Sequence, residues 1–249
     1  MASLNRTLAL TAFAAMLPLT TLAQQQPTQA AWPQPVENNR PFGFAILDQN
    51  ELRTGNGDNS YRWEGEGWYG DHLNRAWFKT EGKLDTGTGA LDEAEAQALY
   101  SRAISRFFNL QAGARYNFKP SPSRGWGAFG VEGLAPLFWE IGAFGFVSNG
   151  GHYGARLEGR YDMYLTQRLV LQPQFELNFY SKSDPRQGFG AGLSDIDSGL
   201  RLRYEICRQF APYVGVTYEK RYGQAATFAR AERAAVEDLR FIAGIRVWW

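Results

Sequence analysis

From Phe42 onward the chain alternates apolar and polar side chains with a period of two rather than 3.6. In "YGARLEGRYDMYL" one face carries Tyr153, Ala155, Leu157, Gly159, Tyr161, Met163 and Leu165, and the other carries Gly154, Arg156, Glu158, Arg160, Asp162 and Tyr164. The next stretch, "RLVLQPQFELNFY", sets Leu169, Leu171, Phe175, Leu177 and Phe179 against Arg168, Gln172, Gln174, Glu176 and Asn178. In "DIDSGLRLRYEI" Ile196, Leu200, Leu202 and Tyr204 alternate with Asp195, Asp197, Arg201, Arg203 and Glu205. The chain ends on "RFIAGIRVWW", apolar on one face to its last residue, with Arg240 and Arg246 on the other. Runs of this kind predict about twelve strands, near 42–53, 59–70, 73–83, 97–107, 109–118, 126–135, 138–148, 152–165, 168–181, 195–206, 210–221 and 238–249.

The segments between these runs fall into two groups. "DH", the single Asn109, "PL", "TQ" and "CRQ" are tight, whereas "LDTGTGALDEAEAQ", "SKSDPRQGFGAGLS" and "GQAATFARAERAAVED" are long. Short turns at one end and longer loops at the other are the habit of outer-membrane barrels. An even strand number then leaves both termini on the periplasmic side. The stretches "ALDEAEAQALYSRAI" and "FARAERAAVEDL" have helical character and are expected as helical turns in outer loops.

The expected fold is therefore all-β, an antiparallel transmembrane β-barrel of about twelve strands over 42–249. A secreted β-sandwich also alternates, but three features oppose it. The strands run to ten or more residues, long against the usual ~5–6 and suited to a tilted membrane-spanning strand. Aromatics gather near strand ends, at Trp68 and Tyr69, Phe107 and Phe108, Phe138 and Trp139, Phe179 and Tyr180, and Trp248 and Trp249, as at bilayer interfaces. Charges keep to one face, and a charge facing lipid would cost about 2–4 kcal/mol at the bilayer midplane.

The first residues fit an exported chain. Arg6 precedes an apolar run from Leu8 to Leu19, too short to span a bilayer as a helix, and Thr21-Leu22-Ala23 resembles a cleavage site. Residues 1–23 are expected to be a signal peptide, and the Gln- and Pro-rich 24–41 a flexible periplasmic arm. Export puts Cys207, the single cysteine, in an oxidising space as a free or intermolecular thiol. A net charge of +1 offers no field for nucleic acid.

A barrel turns attention to its lumen. With the charged face inward, the lumen receives Glu64, Glu66, Arg102, Arg115, Arg156, Glu158, Arg160, Asp162, Glu176, Asp195, Asp197, Arg201, Arg203, Glu205, Arg240 and Arg246, joined by Lys79, Glu81, Lys83, Glu132 and Glu219. The signs interleave. Such a set reads either as a salt-bridged filling, since buried charges must be paired, or as a polar pathway or ion site.

Several long segments resemble the copper resistance protein B family of Gram-negative outer membranes. They are "WEGEGWYGDHLNRAWFKTEG", "ALYSRAISRFFNLQAGARYNF", the run from "GLAPLFWEIG" to "GLRLRYEI", and "FAPYVGVTYEKRYG". The likeness spans roughly residues 42–249, in order and nearly without gaps. It implies an outer-membrane barrel concerned with copper tolerance and homeostasis, with copper as the bound metal, and a periplasmic copper oxidase or carrier as a partner.

This chain lacks the Met- and His-rich N-terminal region of some family members. Past the leader its soft or imidazole donors are Met163, His72, His152 and Cys207. Met163 falls on the lipid face, and the two histidines on opposite ends. His152, in phase with Gly154 and Arg156, is the one imidazole placed to face a lumen, and weak copper contact is expected there with Asp or Glu co-ligands. A generic porin or structural barrel is the competing function.

No enzyme is expected. A membrane-embedded hydrolase needs a histidine in reach of a nucleophile, and no G-x-S-x-G elbow accompanies Ser148 and His152. P-loop, dinucleotide, CxxC and HExxH patterns do not occur, and "GWGAFGVEG" reads as strand glycines.

Overall fold

The computed structural model describes residues 41–55 and 59–249. The leader read over 1–23 and the arm read over 24–41 lie outside the described residues, Pro41 excepted.

The described residues form strands β1 (Phe42–Thr54), β2 (Ser60–Gly70), β3 (Asn74–Asp85), β4 (Leu91–Ala103), β5 (Phe108–Lys119) and β6 (Arg124–Leu134). After them come β7 (Glu140–Ser148), β8 (His152–Arg160), β9 (Met163–Tyr164), β10 (Leu169–Tyr180), β11 (Gly192–Tyr204) and β12 (Phe210–Arg221). Helix α1 (Gly223–Ala231) precedes the last strand, β13 (Glu237–Trp248). Strands β8 and β9 both pair with β10, so together they make one stave and the barrel has twelve. All pairings are antiparallel between sequence neighbours, and β13 returns to pair with β1. Closure runs to the last residue, because Ala45 and Trp249 exchange both backbone hydrogen bonds at 3.0 Å. A closed sheet leaves no unpaired edge, which is what hydrocarbon surroundings demand of a backbone.

Burial is inverted relative to a soluble protein. The largest fully buried side chains include Arg53, Arg201, Arg203, Gln111 and Glu51, whereas Phe78, Leu110, Phe129, Leu157, Val214 and Phe241 are exposed. A soluble sandwich would bury the second set and expose the first. Period-two strands with lipid outside and a polar interior give this distribution directly.

Three expectations need correction. The strand expected over 97–107 exists as β4 but begins at Leu91, so the "LDEAEAQ" assigned to a helical outer loop is strand as well. Its Ala, Glu, Gln and Leu favour a helix, but Glu95, Gln97, Leu99 and Ser101 alternate inward and the neighbouring strands recruit it. The loop expected after β3 shrinks accordingly to residues 86–90, so the long connections are 181–191 and 222–236, both at the end opposite the termini. Finally, Trp68 and Trp248, counted among the aromatics of the bilayer interface, do not face lipid. They point inward with Phe44 and Trp77, with neighbouring ring centroids 5.8–6.1 Å apart, and line the lumen at the terminus end. The exposed aromatics of that end include Phe42, Tyr69, Phe107, Phe138, Tyr164 and Trp249.

The helical expectation for "FARAERAAVEDL" holds for its first part only. Helix α1 buries Ala225, Ala226 and Ala229 against the rim of the barrel, and β13 begins at Glu237.

Candidate functional site: a two-chambered charged lumen

Strand β1 sets up the interior through an irregularity. Its pairing with β2 slips between Leu47 and Gln49, so Asp48 and Gln49, adjacent in sequence, are both buried inward. A bulge of this kind re-aims side chains and resets the alternation. From Gln49 the inward phase continues through Glu51 and Arg53.

Glu51 is the centre of a saturated knot. Its carboxylate accepts from Arg53 Nε at 2.8 Å, from Arg201 Nε and Nη2 at 3.0 and 2.9 Å, and from the Tyr213 hydroxyl at 2.9 Å. Arg53 Nη1 also reaches Glu219 at 2.6 Å and Asp197 at 3.2 Å. The Glu51 and Arg53 side chains have no solvent exposure. Charges this deep are tolerable only with excellent geometry and filled hydrogen-bond positions.

Asp48 ties the terminus end. It holds Arg246 at 2.6 Å and Arg160 at 3.2 Å, and Arg160 also pairs with Glu140 and lies 3.7 Å from Glu66. Nearby, Arg203 binds Asp162 at 2.7 Å and Glu205 at 3.5 Å. Asp162 sits where β8 breaks before β9, and it also accepts from Gln172 at 2.7 Å. The strand predicted to run unbroken over 152–165 is interrupted at this inward turn.

Above this layer lies a central chamber of about 100 Å³. Ten carboxylates and four cationic side chains line it, so its formal charge is strongly negative. Lys79 stands among three of these acids, with Nζ 2.6 Å from Glu132, 3.7 Å from Glu158 and 3.8 Å from Glu66. Its ammonium lies over the Phe144 ring at 4.8 Å, and Arg115 lies over Phe146 at 4.5 Å. The Phe144 ring in the chamber wall thus holds the Lys79 ammonium by attraction to its face, and Phe146 beside it does the same for Arg115. Gly142 opens the wall: a side chain there would collide with the Glu158 carboxylate and the Phe144 ring.

A larger vestibule of about 530 Å³ occupies the loop end. The 181–191 connection folds into its mouth. There Asp184 binds Arg124 at 2.5 Å, Gln187 Nε2 donates to the carbonyl oxygens of Pro122 and Pro120 at 2.5 and 3.2 Å, and Phe189 stacks on Tyr180 at 4.0 Å. Six residues line both chambers: Arg62, Glu81, Glu95, Arg156, Glu176 and Asp197. Arg156 binds Glu81 at 2.9 Å, Glu176 at 3.1 Å and Glu95 at 3.3 Å, and Glu95 also pairs with Arg115.

Of the residues the sequence placed in the lumen, the structure brings Glu64, Glu66, Arg115, Arg156, Glu158, Arg160, Asp162, Glu176, Asp197, Arg201, Arg203, Glu205 and Arg246 into these linked groups. Glu64 does so through the Gln49 amide, which donates to it. Asp195 accepts from Asn178 at 2.8 Å, and Arg240 binds Asp238 at 2.5 Å and Ser60 at 2.7 Å near the vestibule rim. Arg102 is a correction. It is exposed, in the outward phase with Ala98 and Tyr100 next to the β4–β5 turn, and belongs to no lumen group. Sign alone had placed it inside; its phase places it outside. The sequence reading missed Asp48, Glu51, Arg53, Arg62 and Glu95. The visible signal for Glu95 was its phase with Gln97 and Leu99, masked by helical composition.

The soft and imidazole donors do not converge. His72 is exposed at the terminus end, His152 is half-buried at the first position of β8 on the loop end, Met163 is exposed on the outer surface, and Cys207 is exposed in the β11–β12 turn. Among the described residues no group of three His, Cys, Asp or Glu is arranged to hold a metal ion. What the lumen offers a cation is carboxylate oxygen, which suits hard and borderline ions.

A closed antiparallel barrel with a charged interior and an apolar exterior defines a transmembrane, porin-like protein. The NanC porin shares the fold, with a TM-score of 0.55 and 13% identity over 82% of this chain and 98% of that one. Residues 41–249 match the family model described as copper resistance protein B precursor (CopB). Copper resistance protein B of Escherichia coli is 43% identical over 83% of this chain and 69% of its own length. The copper resistance protein B homolog of Pseudomonas syringae pv. tomato is 42% identical over the same shares. The chain belongs to the copper resistance protein B family.

Proposed function

We propose that this protein is a copper-tolerance barrel of the Gram-negative outer membrane that binds or passes copper as a cargo cation and catalyses no reaction. The observation that carries this reading is the central chamber, where ten carboxylates face four cations. An acid-lined cleft with low-dielectric walls concentrates cations and repels anions. Oxygen donors without a convergent soft site fit transient contact with Cu(II) better than tight storage of Cu(I). The exposed apolar band is covered by outer-membrane lipid. A periplasmic copper oxidase or carrier is the proposed partner for the metal, consistent with the absence of a convergent soft donor set among the described residues.

The test is copper bound per chain in the refolded full-length protein, beside a form lacking 24–41, together with copper tolerance of a sensitive strain expressing each. Copper bound by both forms, with tolerance restored, supports the reading. No metal on either form and no gain in tolerance overturns it. That result favours the second reading, a structural barrel with a salt-bridged lumen, for which the saturated Glu51 knot is the supporting observation.

A further inference from the structure

The six residues shared by the two chambers are unequally held. Arg156 is fixed by short contacts to Glu81, Glu95 and Glu176, between 2.9 and 3.3 Å. Arg62 is not. Its nearest carboxylates are Glu81 at 3.7 Å, Asp197 at 3.8 Å and Glu176 at 3.9 Å. All three lie beyond the range of a charge-assisted hydrogen bond, about 2.7–2.9 Å. Arg62 is only 8% exposed, and its Nε is buried without a hydrogen-bond partner among the described residues. A buried guanidinium ordinarily fills its donor positions. Here it hangs between three acids and bonds well to none, in the partition between the vestibule and the acidic chamber.

We propose that Arg62 is the gate of a cation path through the barrel. In the closed state its positive charge occupies the space between Glu81, Glu176 and Asp197. When the side chain swings away, a small inorganic cation takes its place among the same three carboxylates and crosses from one chamber to the other. The acids keep a positive partner throughout the exchange, and the loose bonding of Arg62 keeps its displacement easy. Rings of acidic side chains select cations in pores by the same electrostatics. Arg156 stays in place as the anchor that holds Glu81 and Glu176 at the right spacing. The ligand class is hard or borderline cations, monovalent or divalent, because the exchanging groups are all carboxylate oxygens. Copper as cargo rests on the proposed function above. The gate itself does not need it.

The experiment uses the refolded full-length protein in planar lipid bilayers under a KCl gradient, reading conductance and reversal potential. Arg62→Gln removes the plug charge and is expected to raise potassium conductance about ten-fold, with the reversal potential moving toward the potassium limit. Arg62→Met, close in volume and uncharged, is expected to do the same and covers the case in which the first variant misfolds. Adding Glu176→Gln and Asp197→Asn to either variant is expected to reverse the selectivity gain. Manganese chloride in the bath is expected to block the Arg62→Gln current at lower concentration than the wild-type current. Unchanged conductance in both Arg62 variants, each showing the heat-modifiable migration of a folded barrel, overturns the proposal, as does a shift toward chloride. Copper plays no part in these currents. A gate that behaves as expected in a chain that confers no copper tolerance leaves the gate standing and fails the functional reading. Tolerance without any change in current fails the gate alone.

Discussion

The Glu51 knot and the Lys79 cluster put similar charges in one barrel and treat them differently. In the knot, one carboxylate accepts four hydrogen bonds from three donating side chains, with no exposure of Glu51 or Arg53. Around Lys79, one ammonium serves three carboxylates whose side chains keep 18–33% of their exposure, and only Glu132 lies within hydrogen-bond distance. The first arrangement welds β1 to β11 and β12 beside the closing seam. The second leaves acid to spare in a wet cavity. The two walls thus hold their charges differently, and on the proposed reading the first gives rigidity and the second gives a cation its place.

The largest effect is expected at the knot. Glu51→Ala leaves Arg53 and Arg201 facing each other without their shared partner, and a broken buried pair costs about 3–5 kcal/mol. Urea unfolding in lipid vesicles measures it. A loss well below 1 kcal/mol would mean that water already fills this wall, and the contrast with the Lys79 cluster would collapse.

A middle effect is expected at Lys79. Lys79→Met leaves Glu66, Glu132 and Glu158 without their cation, but these acids are partly exposed, so the stability loss is smaller, about 1–2 kcal/mol. Manganese binding, followed by calorimetry or by its electron paramagnetic signal, is expected to increase in this variant because three carboxylates then share one vacancy. An equal loss at Glu51 and Lys79 would show that both walls are dry.

How much of this was legible depends on whether the alternation ran unbroken. From β5 to β13 it nearly did, and strand positions, face assignment and the buried charges of β8, β10 and β11 followed from it. Where the register slips, legibility fails. The bulge at Asp48 puts two adjacent residues inside and so hides Glu51 and Arg53, the most buried ion pair, from any strict period-two reading. The first half of β4 was missed for another reason: its local preference is helical, and only pairing with β3 and β5 overrides it. That misreading removed Glu95 from the lumen, while Arg102 was put there by its charge, against a phase that turns Ser101 inward. Trp68 and Trp248 were counted toward the bilayer interface because of their proximity to strand ends, when phase, which already set Trp248 with Arg246, decides which side of the wall a ring occupies. The pairing of individual charges was never legible, since it depends on which staves face each other across the lumen, and β1 reaches β11 and β12 through side chains separated by about 150 positions.

The smallest effect is expected at His152, and it sharpens the comparison from the side of the metal. His152 was the imidazole the sequence offered for copper. It sits half-buried at the loop end, at the start of β8 and opposite Ser148, away from both the knot and the Lys79 cluster. A lone imidazole can touch a passing ion but cannot by itself define a tight site. His152→Ala is therefore expected to lower bound copper by well under ten-fold, and Glu66→Gln with Glu132→Gln to lower it more. Metal analysis of the two variants side by side decides the order. A larger loss from His152→Ala would move the metal contact to the vestibule mouth and leave the acidic chamber a purely structural role.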